Sequence, residues 1–215
     1  MPDIFDEVTE DLKKENLAAL VKKYGKSVGL GCFFILLAVS VYVGWQGWRQ
    51  SAEGKAVTAY MNATNLLAGG AANRGITSLS DLVENAPHPV KEMAGLRAGA
   101  YLLQQSKKAE AFGLYQKIAD SSNDEPFRSL AIVILAKNTI GNKDEENKYD
   151  VKNRLQLVAA GSLFAASAEE MLALMAIENG DAGTAKKNLL LISNNSTAPP
   201  GIKKRAEDLL VAYEK

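Results

Sequence analysis

Few residues of this chain have types and spacing that could support chemistry. Its one histidine, His88, stands between Pro87 and Pro89, and its one cysteine, Cys32, lies inside an apolar run. A protein metal site draws on several His, Cys, Asp or Glu ligands, so this pair predicts no metal centre. The sequence favours a surface turn residue for His88 and a small apolar filler for Cys32, and a lone cysteine allows no internal disulfide.

Other chemistry-bearing patterns are equally sparse. The glycine pair Gly69-Gly70 is not followed by the Lys and Ser or Thr of a phosphate-binding loop. Acidic groups such as Glu169-Glu170 and residues 144–146 are typical of solvated faces and loops. A Ser-His-Asp arrangement built from distant segments stays open, which leaves an enzyme with a cryptic hydrolase site as a remote alternative. The sequence otherwise predicts no catalytic residue, no metal, no cofactor and no small-molecule substrate.

The overall charge argues against nucleic acid as a partner. The chain has 25 basic and 25 acidic residues and a formal net charge of zero. Nucleic-acid-binding domains carry a basic patch or stripe, and nothing in the sequence resembles one. We therefore expect no nucleic-acid partner.

The elements that must position any binding residues are helices. Ala, Leu, Lys and Glu dominate after residue 48, and apolar residues recur with helical period. Glycine, proline and asparagine clusters predict breaks between helices of about 12–18 residues. The predicted breaks are Gly69-Gly70, 87–89, 123–126, 141–144, Gly161-Ser162, Gly180-Asp181 and 194–200.

The predicted helices follow the tetratricopeptide pattern, a helical pair that repeats about every 34 residues. In this pattern, small residues stand where helices cross closely, and apolar residues follow them at fixed spacing. Three ladders fit: Ala63, Gly75, Leu79, Leu82; then Gly99, Ala111, Tyr115, Ile118; then Ala173, Ala185, Leu189, Ile192. A degenerate pair near 125–159 lacks the small residue in its second helix, and a last helix, 200–213, is expected to cap the array.

This pattern predicts a binding face as well as a fold. Solenoids of helical pairs present the first helix of each pair on one surface, and flexible methionines adapt to varied apolar partners. Projecting the ladders onto that surface gives the candidate protein-binding residues, with ordinary inter-helix core as the alternative for the same positions. They are Tyr60, Met61, Thr64, Met93, Arg97, Glu170 and Met171.

An uncharged apolar run, residues 27–48, separates this region from the N-terminus. It is long enough, at about 20 residues, to cross a bilayer as one helix. A cleaved signal peptide is the alternative, but its apolar core is only about 7–15 residues long. No clear small-x-small cleavage site follows the run, so we expect a retained membrane anchor.

The basic residues around the run predict its orientation, because cytoplasmic flanks carry an excess of Lys and Arg. Five lysines precede it closely, whereas only Arg49 and Lys55 follow nearby. The preceding lysines are Lys13, Lys14, Lys22, Lys23 and Lys26. We therefore expect a cytoplasmic N-terminus and a C-terminal domain on the far side of the membrane.

The lead-in, residues 1–26, has its own helical pattern. Apolar residues recur every three or four positions, with acidic residues at its front and lysines at its back, which complements the helix dipole. Two interpretations stay open. It is either a short helix that contacts the membrane surface or a partner, or a charged segment that only sets topology.

The lead-in IFDEVTEDLKKENLAALVKKYGK, the span ending in YVGWQGW and the helical pairs behind them resemble the YfgM-like family of Gram-negative bacteria. That resemblance implies an ancillary subunit of the Sec translocon, anchored in the inner membrane with a tetratricopeptide-like periplasmic domain. It also implies translocon subunits and a PpiD-like folding factor as partners, and a chaperone-linked role.

The sequence thus predicts an all-α chain. It comprises a cytoplasmic lead-in helix (1–26), one transmembrane helix (27–48) and a periplasmic tetratricopeptide-like solenoid (49–215). The expected function is non-enzymatic protein interaction that assists secretory proteins at the translocon. A scaffold for another envelope complex, in cell division or outer-membrane assembly, is the alternative.

Overall fold

The computed structural model describes the backbone of residues 4–141 and 145–213, with side chains except those of 4–29, Cys32, 145–149 and Tyr213. The chain forms two compact units, Met1–Ala52 and Glu53–Lys215. In the predicted lead-in, 1–26, the first three residues and all side chains lie outside the described residues. Its amphipathic pattern therefore stays a prediction.

The first unit is helical from Ile4 and belongs to helix α1 (Ile4–Ala68). From Leu30 to Trp48 every described side chain is exposed, with Phe34 at 59% and Trp48 at 73% of full accessibility. Among the described residues, no helix combines the length and hydropathy that crossing a membrane requires. The side chains of residues 27–29 and Cys32, which belong to the predicted span, lie outside that description.

The second unit is built of helices, and the described part of the chain contains no strand. After α1, the helices are α2 (Ala72–Asn85), α3 (Val90–Gln104), α4 (Lys108–Ser121), α5 (Glu125–Thr139), α6 (Glu145–Ala159), α7 (Ala165–Glu178), α8 (Ala182–Asn194) and α9 (Pro200–Tyr213). From α2 onward each helix packs on the next, and α7 also packs on α5 and α9. This stacking is the helical-pair solenoid that the sequence predicts.

The predicted breaks coincide with the described helix ends, although residues 142–144 of one break lie outside the described residues. One further break was missed. Gly70, Gly141 and Gly180 turn the chain with φ near +79°, +82° and +72°, the left-handed region that glycine enters at little cost. Between α3 and α4 the same conformation is taken by Ser106, with φ of +62°. The break at 105–107 therefore carries no glycine or proline signal.

Small residues stand at the helix crossings, as the ladders predict. A Cβ atom added to Gly75 would lie 2.6 Å from Leu67 Cδ2, and one added to Gly99 would lie 2.6 Å from Tyr115 Cζ. Ala63, Ala111 and the other alanine rungs are fully or almost fully buried. The helices can approach this closely only because no larger side chain separates them.

The degenerate third pair keeps the ladder with larger residues. Thr139 in α5, then Val151, Leu155 and Val158 in α6, hold the corresponding spacing, and all four are buried. Valine therefore replaces the small residue of the second helix, which is the departure that the sequence indicates. These residues belong to or adjoin the largest apolar cluster, which runs from Leu102 to Met175.

Two smaller apolar clusters flank the largest one. One joins α1, α2 and α3 through residues such as Leu67, Leu79 and Ala98. The other joins α7, α8 and α9 through Ala173, Leu189 and Ala206. Helix α9 covers the last pair and so takes the capping position predicted for 200–213.

Candidate functional site

The seven residues proposed for partner binding have different environments. Met61 is 61% exposed, Met93 is 38% exposed and Arg97 is exposed. Tyr60 is half-buried and packs against the α1–α3 cluster, and Thr64 donates its hydroxyl to the Met61 carbonyl at 2.8 Å. Their role in partner contact stays a prediction.

Glu170 and Met171 are brought together on a groove that we call the α5–α7–α9 groove. Both side chains are largely buried, Glu170 at 6% and Met171 at 8% exposure, and Met171 also belongs to the central apolar cluster. The groove encloses about 740 Å³, which lies in the usual range for binding pockets. Its apolar lining consists of Val133, Ile140, Met171, Leu174, Ile202 and Leu209.

An ion pair closes the junction of α7 and α9 in this groove. Arg205 Nε donates to Glu170 Oε1 at 2.6 Å, and a second guanidinium nitrogen donates to Oε2 at 2.8 Å. These hydrogen bonds from Arg205 to Glu170 raise the pKa of Arg205. The bidentate geometry satisfies both carboxylate oxygens, which explains how a buried Glu170 is tolerated.

The groove also carries two charges that sequence reasoning missed. Lys137 of α5 and Asp208 of α9 line it, both are exposed, and neither forms an ion pair within the described part of the chain. A repeat signal could have found them. Lys137, Met171 and Arg205 follow one another at about one tetratricopeptide period, some 34 residues, and Ile140, Leu174 and Asp208 do the same. This register was difficult to recognise in the sequence because the degenerate pair lacks the small residue of its second helix.

His88 is not only a surface turn residue. Its Nδ1 lies 2.9 Å from Glu92 Oε2, and the Glu92 side chain is only 2% exposed. Ser122 donates its hydroxyl to the same carboxylate at 3.4 Å, and Lys91 lies 3.9 Å away. The contact therefore joins the α2–α3 connection to α3 and to the end of α4.

Two remaining signals concern catalytic and metal chemistry. The segment GKSVG, residues 25–29, matches the nucleophile pattern G-x-S-x-G and was overlooked in the sequence. That motif acts at a sharp strand-to-helix turn, whereas residues 25–29 lie within helix α1. Among the described residues, no group of three His, Cys, Asp or Glu could hold a metal ion.

Two further cavities lie in the second half of the solenoid. One of about 570 Å³ is lined by α4, α5, α6 and the Ala160–Ser162 connection, and Leu157 beside it is 77% exposed. The other, of about 510 Å³, lies between α6, α7 and α8 and includes Glu169. Burial raises the pKa of Glu169. Neither cavity brings the predicted binding residues together.

The comparisons with known proteins agree with the helical architecture. The chain has no match among curated proteins and none among solved structures. A family model described as a tetratricopeptide repeat-like domain matches residues 19–145, which is more than half of the chain. Domains of this kind bind proteins and are typically non-catalytic. On this match the chain belongs to the tetratricopeptide repeat-like domain family.

Proposed function

We propose that this protein is a non-enzymatic, membrane-anchored interaction module that assists secretory proteins at the Sec translocon. The tetratricopeptide repeat-like domain is the observation that carries the proposal, because such domains act by presenting helix faces to other proteins. The α5–α7–α9 groove offers one such face. Arg97, Met61 and Met93 offer exposed side chains elsewhere on the same unit.

The anchoring part of the proposal rests on residues 27–48. This run has no charged residue, and its described side chains are exposed and belong to none of the three apolar clusters. An exposed apolar surface of this extent typically marks a contact with lipid or protein. We propose that it spans the bacterial inner membrane once, with the N-terminus in the cytoplasm and residues 49–215 in the periplasm.

The translocon part rests on the resemblance of the lead-in and span to YfgM-like proteins. Its test is crosslinking of the full-length chain in membranes, followed by affinity capture and mass spectrometry. Recovery of translocon subunits together with a PpiD-like folding factor would support the proposal. Recovery of cell-division or outer-membrane assembly proteins would instead favour the scaffold alternative and exclude the translocon assignment.

Topology needs a separate measurement. Because Cys32 is the one native cysteine, a Cys32→Ser background accepts a single new thiol at either end, Pro2→Cys or Lys215→Cys. A membrane-impermeant maleimide should label Lys215→Cys in intact spheroplasts, and Pro2→Cys only after lysis. Labelling of Pro2→Cys in intact spheroplasts would reverse the proposed orientation, and labelling of both would exclude a single span.

A further inference from the structure

We infer that the α5–α7–α9 groove receives an apolar helical segment of a partner protein that carries an acidic residue on one flank and a basic residue on the other. This inference rests on the proposed function, because it names the chemistry of a partner for an interaction module. It is carried by the shape of the groove and by the placement of its charges.

The shape fits a helix. Each helix or its end contributes apolar residues: Val133 of α5 with Ile140 directly after α5, Met171 and Leu174 of α7, and Ile202 and Leu209 of α9. Met171 and Leu174 stand three positions apart and Ile202 and Leu209 stand seven apart, so each of these two pairs lies on one face of its helix. A floor on α7 between walls on α5 and α9 is the arrangement into which an amphipathic helix lays its apolar stripe.

The charges make the groove selective. Glu170 is already neutralised by the two hydrogen bonds from Arg205, so this pair offers no net charge to a ligand. Lys137 on one wall and Asp208 on the other are exposed and form no ion pair among the described residues. A bound helix would therefore meet a cation on one flank and an anion on the other, as helices in coiled coils do at their flanking positions.

The same balance argues against other occupants. A polyanion would gain one contact at Lys137 and be repelled at Asp208, and an uncharged apolar chain would leave both charges without a partner. An acidic-only or basic-only helix would place like charges together on one wall. The mixed segment is the occupant that satisfies both walls.

The test uses the full-length chain in lipid nanodiscs and three synthetic helical peptides with the same leucine stripe. Their two flanks carry Glu and Lys, Glu and Glu, or Lys and Lys, and binding is followed by fluorescence anisotropy. We expect the wild-type chain to bind the mixed peptide about threefold to tenfold more tightly than either uniform peptide, as expected for partly exposed charge pairs. Added salt should reduce the difference.

Two charge reversals should move this preference in opposite directions. Lys137→Glu makes both walls acidic and should favour the Lys/Lys peptide. Asp208→Lys makes both walls basic and should favour the Glu/Glu peptide. The matched controls are Lys204→Glu and Glu207→Lys, exposed positions of α9 that do not line the groove, and both should keep the wild-type preference.

Several results would overturn the inference. They are equal affinity for all three peptides, no binding of any peptide, or control variants that shift the preference as much as the groove variants. A change in particle mass by light scattering in the groove variants alone would identify the groove as an interface between copies. If crosslinking still recovers translocon proteins while no peptide binds, the proposed function stands and this inference fails.

Discussion

At the scale of single residues, the closest helix packing depends on glycines, because these residues have no Cβ atom. Gly99 faces the ring of Tyr115, and the space for a Cβ is only 2.6 Å from Tyr115 Cζ. Tyr115 is 1% exposed, and burial raises its pKa to about 12, so this phenol is neutral at physiological pH. The sequence predicted a small residue at Gly99 because helices cross closely there, and the structure shows that its neighbour at the crossing is Tyr115.

This contact predicts opposite effects for two glycine substitutions. Gly99→Ala should destabilise the domain by about 1–3 kcal/mol, since the Tyr115 ring must move in a filled core. Gly113→Ala in α4, where a Cβ meets nothing within 4 Å, should instead stabilise by about 0.5–1 kcal/mol through helix propensity. Urea unfolding followed by circular dichroism measures both. A stabilising Gly99→Ala would show that the two helices are not in close contact.

A second residue-scale prediction concerns Glu169, whose burial raises its pKa in the folded state. A raised pKa in the folded state means that folding disfavours the ionised carboxylate relative to the protonated form. Glu169 therefore lowers the free energy of unfolding at pH values above its folded pKa. The cost disappears below the unfolded pKa of about 4.3. Glu169→Gln should therefore stabilise the fold at pH 7 by less than about 1 kcal/mol, because solvent screens the charge of a partly exposed group. At about pH 4 the gain should vanish.

Thermal unfolding of wild type and Glu169→Gln across this pH range checks the prediction. Glu207→Gln, at an exposed position of α9, is the matched control and should change little at any pH. A gain that persists unchanged at low pH would mean that the substitution acts through packing and not through ionisation.

At the scale of helices, α8 depends on the residue that precedes it. The Asp181 side chain accepts a hydrogen bond from the Thr184 backbone N–H at 2.9 Å and caps the helix. Hydrogen bonding from Thr184 lowers the pKa of Asp181. Capping aspartates satisfy helix N–H groups that would otherwise have no partner within the helix.

Removing this cap should matter most while the carboxylate is ionised. Because its folded pKa is depressed, Asp181 contributes stability above its unfolded pKa, and this contribution is lost as the pH falls through the folded pKa. Asp181→Ala should lower the melting temperature at pH 7. Asp181→Asn keeps an accepting oxygen and should lower the melting temperature much less. The difference between wild type and Asp181→Ala should shrink toward pH 2. A pH-independent difference would contradict a charged cap.

Helix boundaries show where sequence reasoning works and where it fails. Breaks at Gly70, Gly141 and Gly180 were predictable, because glycine is the residue that a left-handed turn favours. The break at Ser106 was not, because serine in that conformation carries no compositional signal. The register of α5 and α6 was hidden for a similar reason: Thr139 and Val151 occupy positions where the pattern has small residues.

At the scale of the whole second unit, the groove shows the limit of reading one repeat at a time. Glu170 and Met171 were identified from their own ladder. To identify Lys137 and Asp208 as groove residues, one needs the repeat register of α5 and the pairing of Arg205 with Glu170. That pairing joins residues 35 positions apart, which local patterns do not specify. The fold was therefore predictable from the sequence, and the groove only in part.

The stacking of helical pairs predicts that stability is transmitted mainly to neighbours. Leu79 and Leu189 are both fully buried, but they belong to separate clusters, one joining α1–α3 and the other α7–α9. Each Leu→Ala substitution removes the same atoms and should cost about 2–5 kcal/mol. In an array where each repeat contacts only its neighbours, Leu79→Ala should speed amide hydrogen exchange most in α2 and α3, and Leu189→Ala most in α8 and α9. Mass spectrometry of exchange in the full-length chain resolves these segments. Equal acceleration in all segments by both variants would show that the unit unfolds as one cooperative block, and the quasi-one-dimensional description of this solenoid would then be wrong.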